Sequence, residues 1–436
     1  MSALTLAQAS TILDTALKTA REKNFQPLSV AVLDAGGHLV AFKREDKSGI
    51  LRFDIAFGKA WGALGMGCCK FGENWDQDPQ DMIVEAAYEA YADAGIENPQ
   101  KQIEAVFCGA QYPSKGTAEV ADALKLYDRP VSMVVNYCAT GTDAFRYGVF
   151  AVASGMYDTV LVVGFDKPKD RGVSGPSVAV TGVRGLPATP AGWFSHVAAR
   201  YFDTYGAGRE DLARIAVKNH HNGTLAPKSM LKREITVEDA LNARVISWPF
   251  GLYDCAAQSD GAAAAIITRR ELARGYRDDF VLVRGIGISL SADPKEDPSF
   301  DFLRWKPTEA AAKQVSLQAG ITNPRKEIHV AQVHDCFTLT ELLAYEDLGF
   351  CEKGSAKEHI KSGTFELTGE LPVNTDGGLK TFGHPTGATG VRMIYENYKQ
   401  LQGKAEKRQV KNATVGLSHN IGGAPQACGV CIVAMP

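Results

Sequence analysis

Short apolar runs alternate with amphipathic helical segments from about residue 68 to the end of the chain, and this alternation most constrains the fold. The apolar runs include residues 103–108, 131–135, 159–164, 280–285, 328–333, 413–418 and 429–434. Such runs are typical of strands buried on both faces, with helices covering the two sides of a parallel sheet. The order of strands and helices in residues 68–270 recurs in residues 279–436. We therefore predict an α/β protein made of two similar halves.

Two segments do not follow this alternation. Residues 166–245 begin with frequent glycine, proline and serine and continue as helical stretches, which predicts an insertion folded over the main sheet. Residues 1–67 predict a helix over residues 5–23, a hairpin with its turn at 35–38, and a second helix over about 51–64. We expect this small α+β segment to pack on the rest of the chain or on a second copy, because half a domain cannot easily bury its own sheet face.

The insertion is also rich in basic residues. They are Lys167, Lys169, Arg171, Arg184, Lys218, Lys228, Lys232 and Arg233. We expect them to form a solvated face or to bind the phosphates of a large anionic cofactor.

The composition excludes several classes of function. The chain has 436 residues and a formal net charge of -3, so it carries no excess of positive charge for binding nucleic acid or an anionic membrane. Its nine cysteines are scattered through predicted strands and helices, which is typical of a reducing compartment and not of a disulfide framework. We find no signal-peptide pattern and no apolar run of membrane-spanning length. We therefore predict a cytoplasmic protein.

One cysteine lies where a buried strand meets a helix. The run from Val131 to Val135 is followed by Cys138, and a helix is predicted to begin just after it. Unpaired backbone N–H groups and the positive end of the helix dipole lie at such a junction, and they lower the pKa of a thiol and make it a nucleophile. From this stretch alone, a buried and inert cysteine is an equally good interpretation.

Three more loops in the second half carry polar side chains at predicted strand or helix ends. They are His334-Asp335-Cys336-Phe337, Gly383-His384-Pro385-Thr386-Gly387-Ala388-Thr389-Gly390 and Ser418-His419-Asn420-Ile421-Gly422-Gly423. Because sites in α/β sheets collect at strand ends and in the crevice between halves, we expect these loops to meet Cys138. The glycine-rich turn lacks the signature of a nucleotide phosphate loop.

The paired cysteines do not predict a metal site. Cys68 and Cys69 are adjacent, so their two thiolates cannot easily face one ion. Cys428 and Cys431 have the CxxC spacing, but no second pair or histidine cluster accompanies them. They also lie on a predicted strand, where alternation points them to opposite faces.

Together the four loops resemble the thiolase superfamily over about residues 66–436. The Asn-x-Cys-Ala-Thr-Gly stretch around Cys138, the Gly-His-Pro-x-Gly-Ala-Thr-Gly loop and the insertion match that superfamily. The His-Asp-Cys-Phe and His-Asn-x-Gly-Gly loops are similar to its sterol-carrier-protein-type branch. Common thiolases have Asn-Glu-Ala-Phe at the second loop and Cys-x-Gly at the fourth, where this chain has Asn420. The resemblance implies a thiolase fold of two βαβαβ halves with a loop-domain insertion.

The resemblance also implies a role for each candidate site residue. Cys138 would be the nucleophile that carries the acyl group, and His384 would accept its proton and polarise the thioester oxygen. Cys336 would move a proton to or from the enolate carbon, a task that common thiolases give to the cysteine of the fourth loop. His334 would help to bind an oxyanion, and the N–H groups of Cys138 and Gly422 would form a second oxyanion hole. The alternative interpretation of Cys336 is core packing.

The implied activity is that of an acyl-CoA acyltransferase, which cleaves a 3-ketoacyl-CoA by thiolysis or runs the reverse Claisen condensation. Coenzyme A would be a cosubstrate, and we expect no bound cofactor and no metal. The family implies a homodimer or homotetramer and, in one class, a small zinc-ribbon/OB-fold companion protein. A retro-aldolase or carbon acyltransferase working with that companion is the alternative. Relatives of that kind tend to lose the thiolase cysteines and histidines, whereas this chain keeps Cys138, Cys336 and His384.

The N-terminal segment is similar to the front half of the heme-binding, GlcG-like family. The similarity rests on residues 32–41 and 54–60. It allows a third hypothesis, a heme or small-molecule sensor with His38 as a ligand, although a histidine in a turn is more often simply solvated. The two resemblances conflict at residues 61–68, which would be both the end of the predicted second helix and the first strand of a thiolase half.

Overall fold

The computed structural model describes residues 4–25, 27–33, 39–46, 61–172, 180–181, 187–294, 296–423 and 426–436. Within these ranges no helix is both long enough and apolar enough to cross a membrane. His38, Arg184 and residues 51–60 of the predicted second helix lie outside the described residues.

Strands and helices alternate along most of the described chain. The strands are β1 (Ser29–Leu33), β2 (Leu39–Arg44), β3 (Trp61–Cys68), β4 (Ala105–Gly109), β5 (Val131–Val134), β6 (Thr159–Asp166), β7 (Val180–Thr181), β8 (Pro187–Ala188), β9 (Val245–Ser247), β10 (Phe250–Gly251), β11 (Gly261–Arg269), β12 (Val281–Leu290), β13 (Val330–Val333), β14 (Val415–Gly422) and β15 (Ala427–Ala434). The helices are α1 (Leu6–Glu22), α2 (Pro79–Ala94), α3 (Pro99–Gln102), α4 (Ala118–Leu124), α5 (Thr140–Ala153), α6 (Pro190–Tyr205), α7 (Arg209–Leu225), α8 (Val237–Asn242), α9 (Arg270–Tyr276), α10 (Lys306–Ala319), α11 (Pro324–Glu327), α12 (Thr338–Asp347), α13 (Ala356–Lys361), α14 (Gly378–Thr381) and α15 (Thr386–Leu401).

One mixed sheet of nine strands organises the fold and confirms the predicted α/β class. The spatial order is β13-β14-β15-β12-β3-β11-β6-β4-β5. In each half the first strand lies beside the last one, β3 beside β11 and β12 beside β15. The halves join where β3 pairs with β12. In the first half, β4 also pairs with β5. In the second half, an isolated bridge between Ala331 of β13 and Val373 takes the place of that pairing. The repeat predicted from the sequence is therefore visible in the sheet.

The sheet is not parallel throughout, in contrast to the prediction. β4 is parallel to β5 and β6, and β13 is parallel to β14. The other pairings are antiparallel. β14 and β15 are connected by a hairpin that is too short for a crossover helix, which forces them to run in opposite directions. β6 and β11 are connected through the long insertion, so no simple crossover sets their direction.

The conflict at residues 61–68 is resolved in favour of a strand. Trp61–Cys68 forms β3 in the middle of the sheet, so the prediction of a helix through Leu64 is wrong. β3 can take this place because it is rich in glycine: a Cβ atom at Gly65 would lie 2.6 Å from the carbonyl oxygen of Ala90 on α2. The glycines let α2 lie directly on the strand, and this tertiary contact overrides the helical pattern of the sequence.

The N-terminal segment forms a small unit of one helix on a hairpin. Helix α1 begins after Thr5, whose side chain takes part in a capping box with Gln8. Ala9 and Leu13 of α1 are buried against Val32 of β1, in a hydrophobic cluster separate from the main core. β1 and β2 pair antiparallel, and neither belongs to the nine-stranded sheet.

Helices α6 and α7 of the insertion pack against residues of the second half. Phe194 of α6 contacts Trp305 and Phe337 with ring centroids 6.0 and 5.0 Å apart. Phe250 stacks on Phe337 with ring centroids 5.1 Å apart. These aromatic contacts fix the loop that carries Phe337, and with it the neighbouring Cys336.

Helices α5 and α15 cross in the interior with almost no side chains between them. A Cβ atom at Gly141 would lie 2.6 Å from the carbonyl oxygen of Gly387, 2.9 Å from the Gly390 nitrogen and 3.0 Å from the Val391 nitrogen. α5 begins just after Cys138 and α15 just after His384 and Pro385. The glycines therefore bring the N-termini of two helices, and the two loops that precede them, into contact.

The close contact between α5 and α15 leads to a prediction about stability. Gly141→Ala should lower the free energy of unfolding by about 1–3 kcal/mol, because the new methyl group meets backbone atoms that cannot move aside. Gly275→Ala is the matched control, since Gly275 lies in α9 with no atom within 4 Å of the added Cβ; it should be neutral or stabilising by up to about 1 kcal/mol. Urea unfolding followed by tryptophan fluorescence measures both. Equal midpoints for the two variants would contradict the close crossing.

Candidate active site

The structure brings Cys138, His334 and His384 together. The Cys138 Sγ and one ring nitrogen of each histidine lie within 4.8 Å of one another. The two imidazole rings are nearly perpendicular, at 84°, with centroids 5.2 Å apart. Cys336 is close enough to Cys138 that a charge on that thiol raises its pKa. These side chains come from loops that follow β5 and β13 and precede α15.

Short-range hydrogen bonds fix the Cys138 loop. The Thr140 hydroxyl accepts a hydrogen bond from the Asn136 N–H (2.7 Å) and donates one to the Tyr137 carbonyl (2.5 Å). Tyr137 has a φ of 49°, a left-handed conformation that is uncommon for a residue other than glycine. The chain therefore turns sharply between β5 and α5, and Cys138 stands next to the first turn of the helix.

Burial opposes the expected activation of the Cys138 thiol. Burial and then the charge of Asp166 raise the pKa of Cys138 to about 12, and the N–H groups of Gly423 and of Cys138 itself offset only part of this effect. The expectation that the helix N-terminus gives this thiol a low pKa is therefore wrong, because desolvation of the thiolate is the larger effect. The thiol needs a base beside it at the moment of attack.

His384 has the protonation state that such a base requires. Its Nδ1 lies 2.7 Å from the Thr389 hydroxyl, and that hydroxyl donates its own proton to the Pro385 carbonyl (3.0 Å). The Thr389 oxygen can therefore only accept from the ring, so Nδ1 carries a proton and Nε2 has a free lone pair. Burial lowers the pKa of His384 to about 3, which keeps the ring neutral and able to accept a proton.

His334 is also buried and neutral. Burial, and after it the neighbouring His384, hold the pKa of His334 well below its usual range. The Nδ1 atom of His334 lies 3.0 Å from the side-chain nitrogen of Asn420, and the side-chain oxygen of Asn420 accepts a hydrogen bond from the Thr142 hydroxyl (3.2 Å). The fourth loop thus contacts the second loop and the start of α5 through one amide.

Cys336 sits at the rim of the same group. Its Sγ lies 3.7 Å from the Thr340 hydroxyl, and its carbonyl accepts a hydrogen bond from the Ala256 N–H (2.9 Å). Burial raises the pKa of the Cys336 thiol far above its usual range. This thiol therefore stays protonated near neutral pH.

Gly422 lies against the nucleophile loop, but the neighbouring residue makes the hydrogen bond. A Cβ atom at Gly422 would lie 2.9 Å from the Asn136 carbonyl oxygen and 3.0 Å from the Ala139 nitrogen, so only glycine fits there. The backbone N–H that contacts Cys138 Sγ belongs to Gly423. The sequence analysis did not single out Gly423.

The sequence analysis also missed a buried carboxylate beneath the site. Asp166 ends β6 and is 1% exposed, and it accepts hydrogen bonds from the N–H groups of Gln111 (3.0 Å), Tyr112 (2.9 Å) and Gly387 (2.6 Å). It thereby connects the loop after β4 with the loop that carries His384. Burial raises the pKa of Asp166 to about 6. A signal existed in the sequence, since a charged residue directly follows a long apolar run.

A second buried carboxylate ties the insertion to the site. Asp335, which is fully buried between His334 and Cys336, accepts hydrogen bonds from the Leu379 N–H (2.6 Å) and from the side chain of Asn219 on α7 (2.9 Å). The loop after β13 is thus held against α14, a few residues before His384.

Several of the basic residues in the insertion are already neutralised. Lys218 is buried and pairs with Glu341 at 2.8 Å. Lys167, Lys169 and Lys228 pair with Asp170, Glu73 and Glu89. Lys218 is therefore neither part of a solvated face nor available to phosphates, and it serves to fasten α7 to α12.

Among the described residues, Cys138, His334 and His384 are the one group of side chains whose donor atoms could reach a single metal ion. The CxxC pair is not in that group. Cys428 lies 3.5 Å from the Thr308 hydroxyl, and both Cys428 and Cys431 are buried in β15. Cys69 is buried as well, and its Sγ accepts a hydrogen bond from the Ala262 N–H.

Known proteins match both parts of the chain. The sequence profile described as "Thiolase C-terminal domain-like" matches residues 298–435. The profile described as "Haem degrading protein HbpS-like" matches residues 4–102, and this similarity continues through β3 and α2. An acetyl-CoA acetyltransferase from Methanothermobacter thermautotrophicus is 36% identical over 381 residues, which cover 85% of this chain and 98% of that protein.

Two further proteins that are similar to this chain are a sterol carrier protein 2 and an aldolase. A sterol carrier protein 2 from Oryctolagus cuniculus is 31% identical over 382 residues, which cover 82% of this chain and 69% of that protein. The solved structure of an Ltp2-ChsH2(DUF35) aldolase matches with a TM-score of 0.76 and 27% identity, covering 86% of this chain and 98% of that one.

The pKa of Cys138 gives a prediction about its reactivity. Because the thiolate is the reactive form, alkylation of Cys138 by iodoacetamide should accelerate roughly tenfold for each pH unit from about pH 7 to about pH 10. Peptide mass spectrometry measures the rate for Cys138 separately from that of the partly exposed Cys255 and Cys351, and Cys138→Ala verifies the assigned peptide. A rate that levels off near neutral pH would show instead that the thiol forms an ion pair with a histidine.

Proposed function

The chain belongs to the thiolase superfamily, and we propose on that premise that it transfers acyl groups between coenzyme A thioesters through an acyl-Cys138 intermediate. The observation that carries the proposal is the group of Cys138, His334 and His384, whose sulfur and ring nitrogens lie within 4.8 Å of one another. The Cys138 thiol of raised pKa stays protonated until a substrate carbonyl arrives and the neutral imidazole of His384 accepts its proton.

In the acyl-transfer step, the Cys138 sulfur attacks the carbonyl carbon of an acyl-CoA. The thiol proton passes to the free lone pair of His384, and from there to the departing sulfur of coenzyme A. The oxyanion of the tetrahedral intermediate is held by backbone N–H groups beside the sulfur. The N–H of Gly423 contacts the sulfur and supports a hole formed by Cys138 and the Gly422–Gly423 turn.

In the carbon–carbon step of condensation, Cys336 first gives its thiol proton to the free lone pair of His384. The Cys336 thiolate then removes a proton from the carbon next to the carbonyl of a second acyl-CoA. The resulting enolate attacks the acyl carbon on Cys138, and the Cys138 sulfur leaves and takes the proton held by His384. His334 stabilises the negative enolate oxygen. In thiolysis the order is reversed, and the protonated Cys336 thiol delivers its proton to the enolate carbon; the raised pKa of Cys336 keeps this thiol protonated until the enolate forms.

A retro-aldolase working with a companion protein is the second candidate. The similarity to the Ltp2-ChsH2(DUF35) aldolase favours it. The two thiols and two histidines of this site weigh against it, because aldol cleavage needs no acyl-enzyme and therefore no nucleophilic thiol. A heme sensor is the third candidate and rests on the HbpS-like match of residues 4–102; a protein that shows no Soret band after addition of hemin would eliminate it.

Acylation of Cys138 is the first test of the proposal. Mixing the protein with acetoacetyl-CoA should add one acetyl group to the intact protein, and Cys138→Ala should abolish the adduct, because Cys138 is the thiol whose sulfur is grouped with the ring nitrogens of His334 and His384. Intact-protein mass spectrometry measures the adduct, with Cys255→Ala as the control that retains it. No adduct with acetoacetyl-CoA or with longer 3-ketoacyl-CoAs, combined with cleavage of an aldol substrate, would favour the aldolase.

Substitutions of the two thiols should also affect different half-reactions. Cys336→Ala should still form the acyl-Cys138 adduct from acetyl-CoA but should lower the rate of thiolysis by about 10²–10⁴-fold, the range typical for loss of a general acid or base. Rapid-quench mass spectrometry measures adduct formation, and loss of acetoacetyl-CoA absorbance measures turnover. Full thiolysis by this variant would mean that Cys336 serves only in packing.

A further inference from the structure

We propose that Asn420 is a positioning residue that holds His334 in the tautomer with a protonated Nε2, so that His334 presents a hydrogen-bond donor to the substrate. The inference deepens the proposed acyltransferase function and rests on it for its kinetic consequences. It assigns a task to the residue that stands where common thiolases have their second cysteine.

The side chain of Asn420 is enclosed by neighbouring residues. Asn420 is fully buried in β14. Its side-chain nitrogen lies 3.0 Å from Nδ1 of His334, and its side-chain oxygen lies 3.2 Å from the hydroxyl of Thr142. The oxygen also lies against α15, since a Cβ atom at Gly390 would be 2.7 Å from it. The amide therefore has little freedom to move.

The proton positions follow from what each group can do. An amide nitrogen has only protons to offer, so Nδ1 of His334 must accept, and a neutral imidazole that accepts at Nδ1 carries its proton on Nε2. A fully protonated ring would set an N–H of His334 against the N–H₂ group of Asn420. Burial independently keeps His334 neutral.

Thr142 decides which way round the amide lies. With the amide oxygen facing Thr142, the hydroxyl proton has an acceptor. With the amide reversed, the nitrogen would face that hydroxyl, and no other acceptor for the hydroxyl proton is found among the described residues. The hydrogen bonds that link Thr142, Asn420 and His334 thus have one arrangement in which every donated proton has an acceptor.

The two histidines are consequently held in opposite tautomers. Thr389 keeps the proton of His384 on Nδ1 and leaves Nε2 as an acceptor, whereas Asn420 leaves His334 with a donor at Nε2. Two rings whose centroids lie 5.2 Å apart therefore take different roles, one as a proton-accepting base and the other as an oxyanion donor, and their hydrogen-bond partners decide which ring takes which role. The donor on His334 also favours an anionic oxygen over a metal cation in this place.

The test separates enolate formation from acyl transfer. Asn420→Leu keeps the approximate size of the side chain but removes the hydrogen bond to His334. We expect exchange of the C2 protons of acetyl-CoA for deuterium to slow by at least about tenfold and at most about 10³-fold, the loss measured for a full oxyanion-hole donor. Acylation of Cys138, followed by mass spectrometry, should change only a few-fold. Exchange as fast as in the unaltered protein would overturn the proposal.

Two Thr142 variants form a matched pair. Thr142→Val keeps the shape and removes the hydroxyl that orients Asn420, so it should slow the exchange in the same way, whereas Thr142→Ser keeps the hydroxyl and should restore it. Equal exchange rates in the two variants would contradict an oriented amide.

A spectroscopic readout does not depend on activity. In protein labelled with ¹⁵N-histidine, the His334 signals, assigned by their absence in His334→Gln, should show the proton on Nε2. A proton on Nδ1 would overturn the proposal even if the acyltransferase function holds. An unaltered protein that forms no acyl adduct but shows the Nε2 proton would refute the proposed function and leave the role of Asn420 in orienting His334 intact.

Discussion

The fold depends on the contact between two helix N-termini that meet through glycine. At Gly141, Gly387 and Gly390 the backbones of α5 and α15 approach so closely that side chains are excluded. Each helix follows a loop with a reactive side chain, Cys138 in one case and His384 in the other. The distance between nucleophile and base is therefore set by backbone packing, which is far stiffer than a contact between side chains. The two halves of the sheet serve to hold these helices in place.

Dehydration is the second constraint on the site. Burial raises the pKa of both thiols and lowers the pKa of both histidines, so all four groups are neutral when no substrate is present. Burying neutral groups costs little free energy, whereas burying a thiolate–imidazolium pair carries a desolvation cost that further hydrogen bonds would have to offset. Charge appears only while a reaction proceeds, and the hydrogen bonds of Thr389 and Asn420 fix in advance where each proton lies.

Much of this arrangement could be predicted from the sequence, because local patterns determine local structure. The repeated strand–helix order predicted the two halves, and the four loops predicted the cluster around Cys138. Two kinds of feature could not be predicted from the sequence. The pKa of Cys138 depends on burial by distant segments, and the partners of Asn420 and Asp335 come from residues far away in the chain. The sequence left residues 61–68 open between the end of a helix and a strand, because the close contact between the glycines of Trp61–Cys68 and α2 is visible only in the folded structure.

The position of β3 has a consequence for how the chain is made. In the part of the chain that the structure describes, β3 pairs with β11 and β12, and both are synthesised long after it leaves the ribosome. During that interval the central strand of the sheet has no partner, and an unpaired apolar strand invites association with other chains. Gly62, Gly65 and Gly67 make this strand a poor template for such association. The helix and hairpin upstream are joined by contacts between α1, β1 and β2, which are close in the sequence, and such local structure can fold first.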